Sequence, residues 1–175
     1  MWRLLLLSLM VVLSACAGSP PNSVPSAAGS AIAASDVCTI HPAWTGFVHD
    51  FMSSDGRVID ASVPEKITTS EGQSYALFFA LVNRDQARFE QLLQWTENNL
   101  AAGDLRAHLP AWSWGKADDG QWHVLDRNAA SDSDVWIAYS LLAAAELWSN
   151  TRYREVGLAL AKRIIEAETV VLPRY

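Results

Sequence analysis

Residues 131–148 are apolar on several sides of a helical projection at once. Val135, Trp136, Ile137, Tyr139, Leu141, Leu142, Leu147 and Trp148 cover much of the circumference. A helix of that kind cannot lie on a surface with one dry face, so it predicts a layered helical structure with neighbours on more than one side. The segment from Glu71 has a similar character, with Tyr75, Phe78, Phe79 and Val82 expected to be buried. Each segment is followed by a turn and a further helix. Phe89, Leu92, Leu93 and Trp95 define the first follower, which stops before Gly103; Tyr153, Val156, Leu160 and Ile164 define the second, over about residues 152–166. The chain therefore reads as two helical hairpins in series, each opening on a serine and an acid, Ser70-Glu71 and Ser131-Asp132. Stacked hairpins follow the logic of solenoids and toroids. If they stack in parallel, Glu71 and Asp132 come to the same end.

The flanking segments are read from local chemistry. Pro42 suits the first position of a helix, and Trp44, Phe47, Val48 and Phe51 follow at helical spacing to about Met52. Ser70 with Gln73, and Ser131 with Asp134, have capping-box spacing, so both serines are expected as N-caps. Gly72 beside Glu71 would let a ligand approach the backbone. Residues 109–125 are not helical. Leu109 to Gly115 alternates and Asp119-Gly120 is a hairpin-turn signal. A long, partly extended loop presenting Trp112, Trp114 and Trp122 is expected there, while Trp95 and Trp148 are expected in the core.

Composition narrows the function classes. The 175 residues carry a net charge of -6, which argues against nucleic acid as a partner, because phosphate binding needs clustered Lys and Arg. Tryptophan is over-represented, with eight residues, and indoles suit flat ligands such as pyranose rings. His41, His49, His108 and His123 are scattered without metal-ligand spacing, and read as surface or loop residues.

The N-terminus reads as a targeting segment. Met1-Trp2-Arg3 is a short positive region and Leu4 to Leu13 an apolar one. Leu13-Ser14-Ala15-Cys16 resembles a bacterial lipobox, which makes residues 1–16 a signal peptide of lipoprotein type, with Cys16 as the lipidation site; ordinary cleavage near Ala15 or Ala17 is the alternative. Residues 17–37, rich in Ser, Pro, Gly and Ala, read as a flexible linker, and the folded domain as 38–175. The two cysteines, Cys16 and Cys38, either form one disulfide or leave Cys38 unpaired beside a lipidated Cys16. Either way the mature chain is expected to be exported, periplasmic or secreted, and at the membrane only through a lipid anchor at Cys16.

Hydrolysis of a glycosidic bond needs two carboxyl groups, one to protonate the leaving oxygen and one to activate water or attack the sugar. Glu71 and Asp132 are the candidates, with Asp134 and Asp60 nearby in the reading. An acid at a helix start must hold its proton against the positive end of the helix. Burial among aromatics such as Tyr75, or a second carboxylate close by, would have to supply that.

The residues around these acids resemble a known family. Residues 66–75, around Glu71, resemble the acid motif of glycoside hydrolase family 8. Residues 130–142, closing on Trp148, resemble its signature segment, with Ser133 where Gly or Ala is usual. Residues 109–116 and 57–60 match as well. The resemblance implies an all-α fold, an (α/α)6 toroid of about twelve helices in stacked pairs, of which about five are legible here. It implies an inverting endo-β-1,4-glucanase without cofactor or metal. Glu71 would be the proton donor, and Asp132 either a nucleophile or the residue that holds the sugar ring at the cleavage subsite. Trp112 and Trp114 would be sugar platforms, with Asp60, Tyr75 and Asp134 as further substrate-binding positions. The implied partners are a β-1,4-glucan (cellulose) chain and, through family members that serve bacterial cellulose synthesis, the cellulose synthase complex. Residues 38–175 would then be the N-terminal half of a catalytic domain, with the catalytic base in the remainder and some apolar helix faces uncovered. Two other readings stand beside this one: a non-catalytic glucan-binding module, and a lipid-anchored helical scaffold that binds a protein partner. A lyase is disfavoured, because no Lys, Tyr or His base cluster beside a cation site is legible.

Overall fold

The structure, a computed structural model, describes residues 41–173. The leader, the linker, Cys16 and Cys38 lie outside the described residues. The elements are α1 (Pro42–Phe51), β1 (Thr68–Thr69), α2 (Ser70–Val82), α3 (Gln86–Leu100), β2 (Ser113–Lys116), β3 (Trp122–Asp126), α4 (Ser131–Trp148) and α5 (Thr151–Glu168). The five helices and their spacing bear out the helical reading. Helices α2 and α3 form one hairpin and α4 and α5 the other, joined by short turns at 83–85 and 149–150.

Capping explains most helix starts. His41 Nδ1 accepts the Ala43 N–H at 3.1 Å ahead of Pro42. Asp85 Oδ1 accepts the Arg88 N–H at 3.1 Å, and its Oδ2 accepts Trp44 Nε1–H at 3.0 Å, tying α1 to the α2–α3 turn. Asn150 caps α5 through the Tyr153 N–H. The expected serine caps are corrected. Thr69 caps α2, its hydroxyl accepting the Gly72 N–H at 3.1 Å, while Ser70 is buried as the first helical residue. Gln73 does not reach back to the cap; it is consumed in the core. Helix α4 starts after Ala130, whose methyl side chain can accept no N–H, so it has no side-chain cap, and Asp134, the expected partner of Ser131, is buried.

The core is built from Leu77 and Leu81 of α2, Phe89, Leu92 and Leu93 of α3, Ile137 and Leu141 of α4, and Tyr153 and Leu160 of α5. Phe89 stands at its centre, with its ring 5.2 Å from both Trp148 and Tyr153. Trp95 is buried and Trp148 partly so, as expected. The buried face of α2 is not the one expected. Ala76, Leu77, Ala80 and Leu81 are buried, while Tyr75, Phe79 and Val82 are exposed and Phe78 is half-buried. On α4, Val135, Trp136, Tyr139 and Leu147 are likewise exposed. Small residues let the helices approach closely, so packing selects the alanine-bearing faces and leaves the aromatics outside. Phe78 of α2 meets Trp136 and Tyr139 of α4 at ring distances of 4.9 and 6.3 Å.

Residues 109–125 are more regular than a loop. Strands β2 and β3 pair antiparallel, with Trp114 opposite Val124 and Lys116 opposite Trp122, and turn through Gly120 at φ 81°. Strand β1 adds to β2, with Thr68 opposite Trp114 and Thr69 opposite Ser113. This small sheet, in the order β1-β2-β3, is built on the residues that lead into α2.

Candidate active site

Glu71 lies in the first turn of α2, and the sheet fixes where that turn starts. The Ser70 N–H donates to the Trp112 carbonyl at 2.9 Å, and the Trp112 N–H to the Asn128 carbonyl at 2.8 Å. The start of α2, strand β2 and the segment entering α4 are thereby tied together. The loop carrying Asp60 is anchored from below. The Asp60 N–H donates to Ile67 O at 2.9 Å, and the Thr68 hydroxyl to Val58 O at 2.6 Å. Gln73 Oε1 accepts the Val58 N–H at 2.6 Å.

These anchors shape a cavity of about 370 Å³ that brings Asp60, Glu71, Gly72 and Tyr75 together over the apolar floor of Phe47 and Phe51. Its size is that of a small-ligand site. Glu71 is exposed at its edge, so burial among aromatics, one of the two expected aids to an acid here, is not met. The Tyr75 phenol is raised above its ordinary range chiefly by the Glu71 carboxylate beside it, then by loss of solvent, and least by the charge of Asp132. Tyr75 senses Asp132, while Phe78, one turn on, meets Trp136 and Tyr139. Helices α2 and α4 therefore run parallel and start at one end. Asp60 is lowered, because its Oδ1 accepts from both the hydroxyl and the N–H of Ser62, at 2.6 and 2.9 Å.

The other expected residues divide. Trp112 is exposed, with its backbone bonded to the start of α2. Trp114 does not line the Glu71 cavity. It packs edge-on against Trp95 at 5.3 Å and stacks on Trp122 at 5.1 Å, beside a different cavity. Asp134 is fully buried, with neither carboxylate oxygen paired, and faces the interior and not the cleft. Its carboxyl is pushed up to about 8, chiefly by burial, then by the charges of Glu168 and Asp132. Sequence reasoning missed the positioning work of Gln73 and of Arg57, whose Nε donates to the Thr68 hydroxyl at 2.7 Å. Only the matches of residues 57–60 and 66–75 to family segments pointed there. Among the described residues, no group of three or more His, Cys, Asp or Glu could hold a metal ion.

Helical hairpins stacked in parallel, with carboxylates gathered at their shared end, place the chain among the helical-toroid proteins. More narrowly, it belongs to the glycosyl hydrolases family 8, whose model its residues 20–174 match. The chain is 57% identical over 144 residues to an endoglucanase of Salmonella typhi, covering 82% of this chain and 39% of that protein. It is 55% identical over 132 residues to an endoglucanase of Escherichia coli (strain K12), covering 75% of this chain and 36% of that one. Among solved structures it is similar to the endo-1,4-D-glucanase from Vibrio fischeri ES114, with a TM-score of 0.71, 55% identity, and coverage of 73% of this chain and 36% of that chain. It is also similar to the endo-β-1,4-glucanase CMCax from Acetobacter xylinum, with a TM-score of 0.65, 28% identity, and coverage of 75% and 40%. The chain spans well under half the length of these relatives.

Proposed function

We propose that this chain carries the acid side of an endo-β-1,4-glucanase site. The observation that carries the reading is the cavity that gathers Asp60, Glu71 and Tyr75 at the start of α2, the helix that packs through Phe78 on the first turns of α4, where Asp132 lies. In this reading Glu71 protonates the leaving glycosidic oxygen of a β-1,4-glucan, and the bond is cleaved with inversion. Asp132 holds the sugar ring at the cleavage subsite. Asp60, kept ionised by Ser62, accepts hydrogen bonds from sugar hydroxyls, and Trp112 offers an indole to a neighbouring ring. The water-activating base belongs to the part of the family's fold that this chain does not span. Relatives described as endoglucanases support the substrate class.

Incubation with cellohexaose and sodium azide, an external nucleophile that stands in for the base this chain does not span, followed by ¹H NMR, tests the reading. Formation of α-glycosyl azides of shorter oligosaccharides, abolished by Glu71→Gln, is the supporting result. Binding without turnover favours a non-catalytic glucan-binding module. Neither binding nor turnover, together with stable association to another protein, favours a helical scaffold.

The cellular reading rests on the leader. The apolar run at residues 4–13 and the lipobox-like Leu13 to Cys16 support export and anchoring at Cys16. Action on cellulose beside the bacterial cellulose synthase complex follows as the setting. Mass spectrometry of the mature N-terminus tests the anchor, since a diacylglyceryl group on Cys16 supports it and an unmodified residue near Ala15 or Ala17 does not. Among the described residues, no helix is long and apolar enough to cross a membrane.

A further inference from the structure

A second cavity, of about 490 Å³, lies against the β2–β3 hairpin and is lined in part by Trp114, Trp122, Asn98, His108 and Arg127. It shares no lining residue with the Glu71 cavity. Arg57 stands between the two. Its chain neighbours Val58 and Ile59 line the Glu71 cavity, while its guanidinium carbon lies 4.9 Å from the Trp114 ring centroid and 4.8 Å from that of Trp122. The two indoles stack with an interplanar angle of 24°, and Trp114 is braced edge-on by the buried Trp95 at 83°.

Trp122 nonetheless exposes 48% of its surface. An indole stacked on one face, with a guanidinium about equally far from both rings of the pair, yet half open to solvent, is not explained by core packing. Its rigidity means that little side-chain freedom is lost when a ligand arrives. Around it, the exposed amide of Asn98, the His108 imidazole and the Arg127 guanidinium offer donors and acceptors. A pyranose has an apolar C–H face and a rim of hydroxyls, and it matches a fixed indole with polar groups at its edge.

We propose that this cavity is a second carbohydrate-binding site, which holds a segment of β-1,4-glucan apart from Glu71 with Trp122 as its stacking platform. The ligand class rests on the proposed function; the location rests on the indole cluster alone. Trp114 and Arg57 act as its support. Two sites on one polymer raise the effective concentration of glucan at the Glu71 cavity, a gain available to long chains and not to short ones.

Titration of the ¹⁵N-labelled chain with cellohexaose tests this. The Trp122 indole N–H and the Asn98 amide are expected to shift on a binding curve distinct from that of the amides of Asp60, Glu71 and Tyr75. Trp122→Ala is expected to weaken the second curve about threefold to tenfold, the worth of one aromatic stack, while the Glu71-side curve and the thermal midpoint stay in place. Trp122→Tyr is expected to restore most of the loss. A Trp122 indole that stays still while the Glu71 amide moves overturns the proposal. So does a single shared curve that Trp122→Ala weakens at every residue, since that means one continuous site. Movement at Trp122 with the Glu71 side silent leaves this site standing and counts against the proposed function. Silence at both sides overturns both.

Discussion

Gln73 Oε1 accepts the Val58 N–H at 2.6 Å inside the core, so the loop that carries Asp60 is bolted to the helix that carries Glu71. The same amide donates to the Thr96 hydroxyl at 2.9 Å and the Gly56 carbonyl at 3.2 Å. Gln73→Leu keeps the volume and strands these partners without water. The expected loss is about 2–4 kcal/mol, as for several unpaired buried groups, read from the midpoint of urea unfolding. The amide shifts of residues 58–60 are expected to move with it.

Gly56 turns at φ 97°, and a Cβ there would sit 2.4 Å from the Gln91 carbonyl oxygen. Gly103 has a similar φ of 91° with nothing within 4 Å. Gly56→Ala and Gly103→Ala therefore carry the same backbone strain and differ in the clash. Gly103→Ala is expected to cost about 1 kcal/mol and Gly56→Ala at least about 2 kcal/mol more. Paired thermal melts measure the difference.

The buried Asp134 carboxyl, pushed up to about 8, holds a proton that the unfolded chain releases near pH 4. Between those values the folded state binds more protons than the unfolded one, so stability falls as pH rises. The contribution is complete below the unfolded value and is lost as pH passes about 8. Urea unfolding is expected to weaken between pH 5 and pH 8 by up to about 1.4 kcal/mol per pH unit. Asp134→Asn is expected to remove most of that slope.

The Glu71 carboxylate raises the Tyr75 phenol, and Asp132 adds a smaller charge effect. Glu71→Gln removes the negative charge and should lower the Tyr75 titration midpoint toward that of a free phenol. Asp132→Asn should lower it less. Difference absorbance at 295 nm against Tyr75→Phe reads both. Equal shifts, or none, would mean that the three groups do not form one electrostatic unit.

Much of the architecture was legible in the chain. Phe89, Leu92 and Leu93, and Tyr153, Val156 and Leu160, follow a helical period, and all are buried. Asp119-Gly120 marked the hairpin turn that β2 and β3 make. The parallel arrangement of α2 and α4 was legible only as a condition on how the hairpins stack.

The sequence by itself determined where the helices run and that Glu71 and Asp132 open two of them, because periodicity and turn chemistry act over a few residues. Only the tertiary structure decided which face of α2 is buried. A helix apolar all round has no periodic signal to read, and the close approach permitted by Ala76 and Ala80 turned Tyr75 out to the cleft. It decided that Thr69 and not Ser70 is the cap, because Thr69 pairs with Ser113 of β2 and the Trp112 carbonyl just before that strand takes the Ser70 N–H, which sets the first turn of α2 at Ser70. It also sent Trp114 away from Glu71, since pairing with β3 sets that indole against Trp122 and Trp95. These choices depend on residues far apart in the chain, and they become visible only when the hairpins and the sheet are packed together.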